Sequence, residues 1–436
     1  MAPESYRKND PEPPVVDGDK RLPSTETNQQ QFRAPECNST YRAPPCVRLL
    51  GGSDASDCCD ETSRNVLVGN LRIHGWSPIV VPDAPSPSPS KEEILGIFRR
   101  RNQRVGDGTN ELGDVVYVPS ESGSSEGTVE PKESLEVGLS NCQDPPDGHP
   151  LPGESDERTV KTFCRTLSWI AHRVCGVVLE LPPDSFLPLD PGESLDLLRV
   201  FHYYAVAGEE GTSPAPTLGS SEHTDWGSLT VVWQDAVGGL QTYCRSSHRW
   251  IDVRPEAEAE AETPVRRKGH RWRCIVHVGD MASLVLGSPH AGPTAAGESN
   301  GSENDKKNDK NNDADALPVS WPSPRHRVVS PSREERVSLV YFGYPPRSLS
   351  LDRIRAVLDG GWKHSPTRGR RLPLGDYYLL RNQSATGAGG KAGDGNGDGN
   401  INGNEDDSEA GRLFRKMWDL PIQDIVRLKW EQVNRD

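Results

Sequence analysis

The chain has 436 residues, 50 of them basic and 64 acidic, for a net charge of −14. That balance argues against general nucleic-acid or anionic-membrane binding, and the absence of any run of 18 apolar residues excludes a membrane-spanning helix. Only 33% of the residues are hydrophobic, against 42 Gly and 38 Pro, so much of the length is expected to lie outside any packed core.

Met1–Thr62 is polar, rich in Pro and Ser and without periodicity, and reads as a disordered tail. Its first ten residues mix charges with no apolar run, so no secretory signal is expected and the expected location is cytoplasmic. Residues 63–196 read as a helical and α/β region. Val66, Leu67 and Leu71 have helical spacing, Gly75 closes the turn, and Pro78-Ile-Val-Val reads as a short strand. Ser90 caps a second helix running to about Arg104. Gly106–Glu157 is acidic and reads as mostly irregular. Val160, Phe163, Cys164, Leu167, Ile170, Ala171, Val174, Val177 and Val178 then follow the i, i+3, i+4 rule, and Pro182-Pro183 ends that helix.

Across residues 197–346 the period changes to two. Arg199–Val206, Ser228–Gln234, Leu240–Cys244, Trp250–Val253, Arg271–Val278, Ala282–Leu286, His326–Ser330 and Arg336–Tyr344 read as short strands separated by Gly, Pro, Asp and Ser turns. Low-complexity inserts, 255–270 and 287–320, interrupt the series. The pattern predicts a mostly β fold with flanking α-helices: a sandwich, barrel or jelly roll. Residues 347–436 turn helical again, with a Gly/Asn/Asp-rich insert at 385–411 and a terminal amphipathic segment, Leu413–Val433, broken at Pro421. Setting the low-complexity stretches aside leaves roughly 300 residues, enough for one large domain. Nine Cys without a Cys-x-x-Cys motif read as buried free thiols in a reducing compartment. The glycosylation patterns at Asn38, Asn300 and Asn382 carry no weight without a secretory route.

The chemistry concentrates in the β region. In His223-Thr-Asp225 an imidazole and a carboxylate stand at i and i+2, on one face of a strand, about 6–7 Å apart at the backbone. A third ligand must come from another strand, with His248, His270, His277, His290 and His326 as candidates. His277 alternates with Val276 and Val278, as a surface residue would, and His202, His248 and His277 read as structural or surface. His326 opens a strand, and a turn at Pro331-Ser-Arg-Glu would set Arg336 and Ser338 on the adjacent antiparallel strand. A guanidinium there can grip a carboxylate bidentately. Two His and one Asp on one side of a metal leave positions open, as in non-haem iron(II) oxygenases.

In these residues the sequence resembles the iron(II)- and 2-oxoglutarate-dependent dioxygenases of the isopenicillin N synthase-like family. The likeness is carried by His223-Thr-Asp-Trp-Gly-Ser-Leu-Thr-Val-Val-Trp-Gln-Asp, Gly238-Gly-Leu-Gln, Val278-Gly-Asp-Met281, His326-Arg-Val-Val and Arg336-Val-Ser-Leu, in the family order. Gly75-Trp-Ser-Pro-Ile-Val and Lys132-Glu-Ser-Leu-Glu-Val-Gly138 resemble family segments more loosely. The resemblance implies a double-stranded β-helix (jelly roll) core. It implies that His223, Asp225 and His326 hold iron(II), that Arg336 and Ser338 bind the distal carboxylate of 2-oxoglutarate, and that Tyr203 touches this co-substrate. Phe201 stands where the family commonly has Asn. The resemblance also implies dioxygen as the oxidant and ascorbate as an accompanying reductant. The implied reaction is hydroxylation, desaturation or ring closure of a small-molecule metabolite, coupled to decarboxylation of 2-oxoglutarate to succinate, in a monomer with no nucleic-acid or membrane partner. Two other readings remain: an iron oxidase that does not use 2-oxoglutarate, and a catalytically silent jelly-roll binding protein. Trp226 and Trp233 read as core residues. Outside the family pattern, Asp394–Glu405 matches the twelve-residue EF-hand loop, with oxygen ligands at Asp394, Asn396, Asp398 and Glu405. The Gly/Ala-rich run Ser384–Gly393 before it does not read as the normal entering helix.

Overall fold

The computed structural model describes residues 44, 47–49, 61–82, 84–106, 114–119, 130–143, 155–182, 184–206, 217–244, 247–253, 271–287, 321–361 and 418–433. The expectations for residues 255–270, 288–320 and 385–411, for the EF-hand-like loop, for the three glycosylation patterns, and for His270 and His290 lie outside these residues.

Helix α1 (Glu61–His74) buries Leu67, Val68 and Leu71 on one face. It stops at Gly75, whose φ of +76° suits a residue without a Cβ. A Cβ there would also meet the carbonyl oxygen of Pro322 at 1.8 Å. Strand β2 (Trp76–Val81) follows at once. It pairs in parallel with β1 (Val47–Arg48), where Val47 and Leu49 are buried. This corrects the reading of Met1–Thr62 as tail throughout: two apolar residues are too few to show a period, yet enough to cap a sheet edge. Helix α2 (Lys91–Gly106) begins as expected, with the Ser90 hydroxyl accepting the Glu93 amide at 3.1 Å.

The stretch read as irregular holds β3 (Val116–Val118) and β4 (Lys132–Gly138). Strand β4 is buried on both faces, and its inward charges hide the alternation that marks a half-exposed strand. Helix α3 (Ser155–Arg173) has the expected apolar face and ends in a π-turn at Val174–Val178. Next come β5 (Leu197–Tyr203), β6 (Leu218–His223), β7 (Leu229–Gln234), β8 (Leu240–Cys244), β9 (Arg249–Asp252) and β10 (Trp272–Val278). Strand β6 reads Leu-Gly-Ser-Ser-Glu-His and gave no strand signal. Asp280–Leu286, expected to be a strand over Ala282–Leu286, is helix α4: Gly279 caps it and the Gly287 amide closes on the Ser283 carbonyl. Strands β11 (His326–Val329) and β12 (Arg336–Gly343) and helices α5 (Leu351–Gly361) and α6 (Ile422–Val433) complete the order, α6 beginning just past Pro421 as expected.

Eight strands form one sheet in the order β1-β2-β10-β7-β12-β5-β4-β3, and four form another in the order β6-β11-β8-β9. From β5 to β12 the chain passes back and forth between the two sheets, with β8 and β9 the one consecutive pair that stays in place. That winding is a double-stranded β-helix, or jelly roll. The larger sheet buries its outer face under the helices, in the main apolar cluster that includes Phe98, Leu167, Ile170, Val231 and Leu339. Its inner face shares a second, smaller cluster with the four-stranded sheet: Trp76, Phe201, Tyr203, Val232, Leu240, Val253, Ile275 and Val328. Apolar packing therefore fills only part of the space between the sheets, and the remaining inward positions carry polar side chains. Cys142, Cys164, Cys175, Cys244 and Cys274 are buried free thiols, as expected.

Candidate metal centre

Strands β6 and β11 run antiparallel with His223 opposite His326, and Thr242 of β8 flanks His326 on its other side. Strand β6 ends at His223, so Asp225 does not share a strand face with it, contrary to the sequence reading. The carboxylate comes instead from the loop that follows. That loop is sewn to the start of α4: the Asp280 amide donates to the Asp225 carbonyl at 2.7 Å and the Met281 amide to the Trp226 carbonyl at 3.1 Å. Gly227 and Gly279 allow this approach, since a Cβ on Gly279 would lie 1.9 Å from the Gly227 carbonyl oxygen.

The candidate donor atoms of His223, Asp225 and His326 all lie within 4.8 Å of one another. Asp225 Oδ1 is 3.8 Å from His223 Nε2 and 3.6 Å from His326 Nε2. Each imidazole places its other nitrogen, Nδ1, on a backbone carbonyl, Ser221 O at 2.7 Å and Pro324 O at 3.0 Å. A carbonyl can only accept, so Nδ1 carries the proton in both rings and Nε2 presents a lone pair. Two neutral imidazole lone pairs and one carboxylate oxygen thus converge, the donor chemistry of a divalent transition metal with open positions.

The electrostatics agree. Desolvation, and then the neighbouring His326 ring, press the His223 imidazole down to about 4, with Asp225 acting in the opposite sense. Burial opposes charge on Asp225, but the His326, His277 and His223 rings outweigh it and hold the carboxyl below its usual range. The site therefore favours an ionised Asp225 carboxylate and disfavours charge on His223.

Arg336 and Ser338 point inward from β12, on the same face, as their spacing predicted. Their strand is not adjacent to His326, however. Strand β11 pairs with β6 and β8, whereas β12 pairs with β5 and β7 in the facing sheet. The Pro331-Ser-Arg-Glu segment crosses between sheets and does not close a hairpin. Arg336 is 1% exposed. Its Nε donates to the Gly238 carbonyl at 2.5 Å, Nη1 to Ser338 Oγ at 3.1 Å and Nη2 to Gln234 Oε1 at 2.9 Å. Its carbon sits 4.6 Å from the centre of the Tyr203 ring. Every polar partner is neutral, and among the described residues the guanidinium forms no ion pair. Asp235, whose carboxylate accepts the Val337 amide at 2.9 Å, feels the charge of the guanidinium without pairing with it directly. A buried cation with no direct ion pair is costly, and an anionic ligand would relieve it. Phe201 lies between Ser338 and Ser134 in register, with its ring centre 5.7 Å from that of Tyr203.

Trp233 is buried in the main cluster and Trp226 packs against it, as expected. His248 is exposed, while His202 is buried against Glu133, 2.8 Å from its Nδ1. His277, expected at a surface or structural position, is fully buried on the inner face, with Nδ1 3.6 Å from Asp225 Oδ2. Strand β10 is covered on both sides, so alternation with Val marked no surface. Sequence reasoning also missed Lys132 and Glu130, a buried ion pair at 2.6 Å. Glu130 also accepts the Ser221 amide at 2.6 Å, beside His223.

The model of the 2OG-Fe(II) oxygenase superfamily matches residues 195–265. Deacetoxyvindoline 4-hydroxylase of Catharanthus roseus is 32% identical over 124 residues, 28% of this chain and 28% of that protein. Gibberellin 2-beta-dioxygenase 2 of Arabidopsis thaliana is 22% identical over 51% of this chain and 55% of its own. The chain thus matches about a quarter to just over half of the length of these curated relatives. Among solved structures, the rice dioxygenase for auxin oxidation is 18% identical with a TM-score of 0.46, covering 79% of this chain and 96% of its own. Over residues 195–265, and in the order of the motifs around them, the chain is similar to the 2OG-Fe(II) oxygenase superfamily.

Proposed function

We propose that the protein is a non-haem iron(II)- and 2-oxoglutarate-dependent dioxygenase acting on a small organic molecule, with His223, Asp225 and His326 as iron ligands. The observation that carries this reading is the buried Arg336, neutral in all its contacts, set within the same lumen as a cluster of two imidazole lone pairs and one carboxylate. Arg336 lies against Gly239, whose carbonyl accepts the Val329 amide. It therefore reaches the smaller sheet three residues along β11 from His326, roughly 10 Å. That spacing suits a short dicarboxylate between metal and guanidinium. Bound iron(II), with 2-oxoglutarate and dioxygen, supplies the oxidising power, and succinate and carbon dioxide are the co-products.

The protein's own groups do the rest. His223 and His326 keep their Nε2 lone pairs inward because Ser221 and Pro324 fix their tautomers. Arg336 and Ser338 neutralise and orient the far carboxylate, with Tyr203 stacked on the guanidinium. The two sheets bury Asp225, His326 and Arg336 but leave the His223 side chain 43% exposed. The relatives' names, a vindoline-type 4-hydroxylase and a gibberellin dioxygenase, support hydroxylation of a metabolite as the reaction type. The net charge of −14 weighs against a nucleic-acid partner, and no described helix is long and apolar enough to cross a membrane.

The test is anaerobic. Iron(II) and then 2-oxoglutarate are added to the apo-protein, and the visible metal-to-ligand charge-transfer band is followed. The expected result is a band that vanishes in His326→Ala and weakens in Arg336→Ala. Iron binding without a band would replace this reading with an oxidase that does not use 2-oxoglutarate. No iron binding would replace it with a silent relative.

A further inference from the structure

The geometry points to His277 as a positioning residue that holds the second oxygen of Asp225 away from the metal and so fixes one-oxygen ligation. The inference rests on the proposed metal site. It adds a residue that the sequence motifs leave out.

His277 is fully buried, and neither of its ring nitrogens has a hydrogen-bond partner. Asp225 Oδ2, in a side chain 2% exposed, has none either. These orphaned groups face each other, with His277 Nδ1 3.6 Å from Oδ2. Leaving a buried donor and a buried acceptor unmade is unfavourable for both, and a displacement of a few tenths of an ångström would join them. The two oxygens of Asp225 are already divided. Oδ1 faces His223 Nε2 and His326 Nε2, and Oδ2 faces His277.

His277 itself lies outside the set of mutually close donor atoms. Its ring centre stands 4.7 Å from that of His326, with the planes at 55°, so it also limits the room in which the ligand ring can rotate. With Nδ1–H directed to Asp225, Nε2 becomes an acceptor. The cross-strand partner of His277 on β7 is Thr230, whose buried hydroxyl is likewise without a partner. That side chain offers the matching donor. A carboxylate held by one oxygen leaves an extra coordination position, which co-substrate and dioxygen need.

Cobalt(II) in the absence of oxygen tests this, because its visible bands report coordination number and its titration reports affinity without turnover. In His277→Leu, affinity should fall roughly 10- to 100-fold, the usual effect of removing a group that orients a ligand, and the bands should shift as Asp225 becomes bidentate. His277→Asn, whose amide nitrogen can take the place of Nδ1, should retain affinity within about threefold and keep the wild-type bands. Thermal unfolding of the apo forms separates folding from binding. Wild-type affinity and bands in His277→Leu would overturn the inference. So would an equal loss in both variants, or a wild-type cobalt spectrum that loses an imidazole ligand in His277→Leu. Equal cobalt binding by wild type and His326→Ala would instead overturn the metal-site reading, and the role of His277 with it.

Discussion

Arg336→Met separates ligand recognition from folding. In the apo-protein the change removes three hydrogen bonds and leaves the Gln234 and Gly238 oxygens buried without donors, at about 1–3 kcal/mol each. It also removes a buried charge that has no direct ion pair, only a through-space attraction to Asp235, and whose desolvation penalty is itself several kcal/mol. These terms oppose each other, so apo stability should change by no more than about 2 kcal/mol. Binding behaves differently. Loss of two charge-assisted hydrogen bonds at about 1.5–3 kcal/mol each should raise the Kd for 2-oxoglutarate by roughly 10²- to 10⁴-fold. At 100 times the wild-type Kd the ligand stabilises the native state by about 2.7 kcal/mol, worth roughly 5–11 °C in Tm for a domain of this size. The variant should gain less than about 0.5 kcal/mol under the same conditions. The assay is thermal unfolding with manganese(II) under nitrogen, with and without 2-oxoglutarate. An equal upward shift in Arg336→Met would refute the assignment of the guanidinium as the carboxylate anchor.

Three further outcomes follow from the packing. Gly279→Ala would place a Cβ 1.9 Å from the Gly227 carbonyl oxygen; because the atoms it meets are all Gly227 backbone, we expect a loss of about 1–3 kcal/mol in urea unfolding together with weaker cobalt(II) binding, and wild-type values in both would contradict the account of the loop. Asp196 is buried and its pKa is pushed up to about 6 by desolvation, against the hydrogen bonds from Tyr341, Tyr344 and Ser194. Its folded value lies above its unfolded value, so its favourable contribution is full below about pH 4 and is lost as pH rises towards 6, about 3 kcal/mol in all. Asp196→Asn should flatten the stability profile in that window, and an unchanged slope in denaturant midpoints between pH 4 and 7 would count against it. Lys132→Met leaves the Glu130 carboxylate, 2.6 Å from the lost ammonium, without its buried counter-charge and should cost about 3–5 kcal/mol. The double variant Glu130→Gln, Lys132→Met should recover part of that loss, and strict additivity of the two single changes would mean that the pair is not coupled.

Most of the jelly roll was legible because its strands carry Val, Ile, Trp and Tyr at period two and its turns carry Gly, Pro and Asp. Strand β6 was not. Its Gly-Ser-Ser-Glu run gains its place from pairing with β11, a tertiary effect that propensity does not register. Asp280–Leu286 misled in the other direction: seven mostly apolar residues suit a buried strand or a short helix equally well, and the cap at Gly279 decided it. His223, Asp225 and His326 were found by residue type and order. Their convergence was not a matter of strand alternation, since Asp225 sits in a loop held by backbone hydrogen bonds from α4. His277 escaped notice because alternation reports exposure only where one face of a sheet meets water, and β10 has no such face.

The strand order also governs how the chain can fold during synthesis. Strand β12 lies between β7 and β5. Before residue 343 has emerged from the ribosome, the larger sheet exists only as two separate ribbons, β1-β2-β10-β7 and β5-β4-β3, each with an open hydrogen-bonding edge. Pairings such as Ile79 with Cys274 and Val200 with Leu339 close very long loops, the hallmark of slow folding. The nascent protein must therefore hold two sticky edges apart from the completion of β7 at Gln234 until β12 is made. The strand that finally seals them is the one that carries Arg336 and Ser338, so a chain that has not finished its sheet also lacks the anchor proposed for the co-substrate.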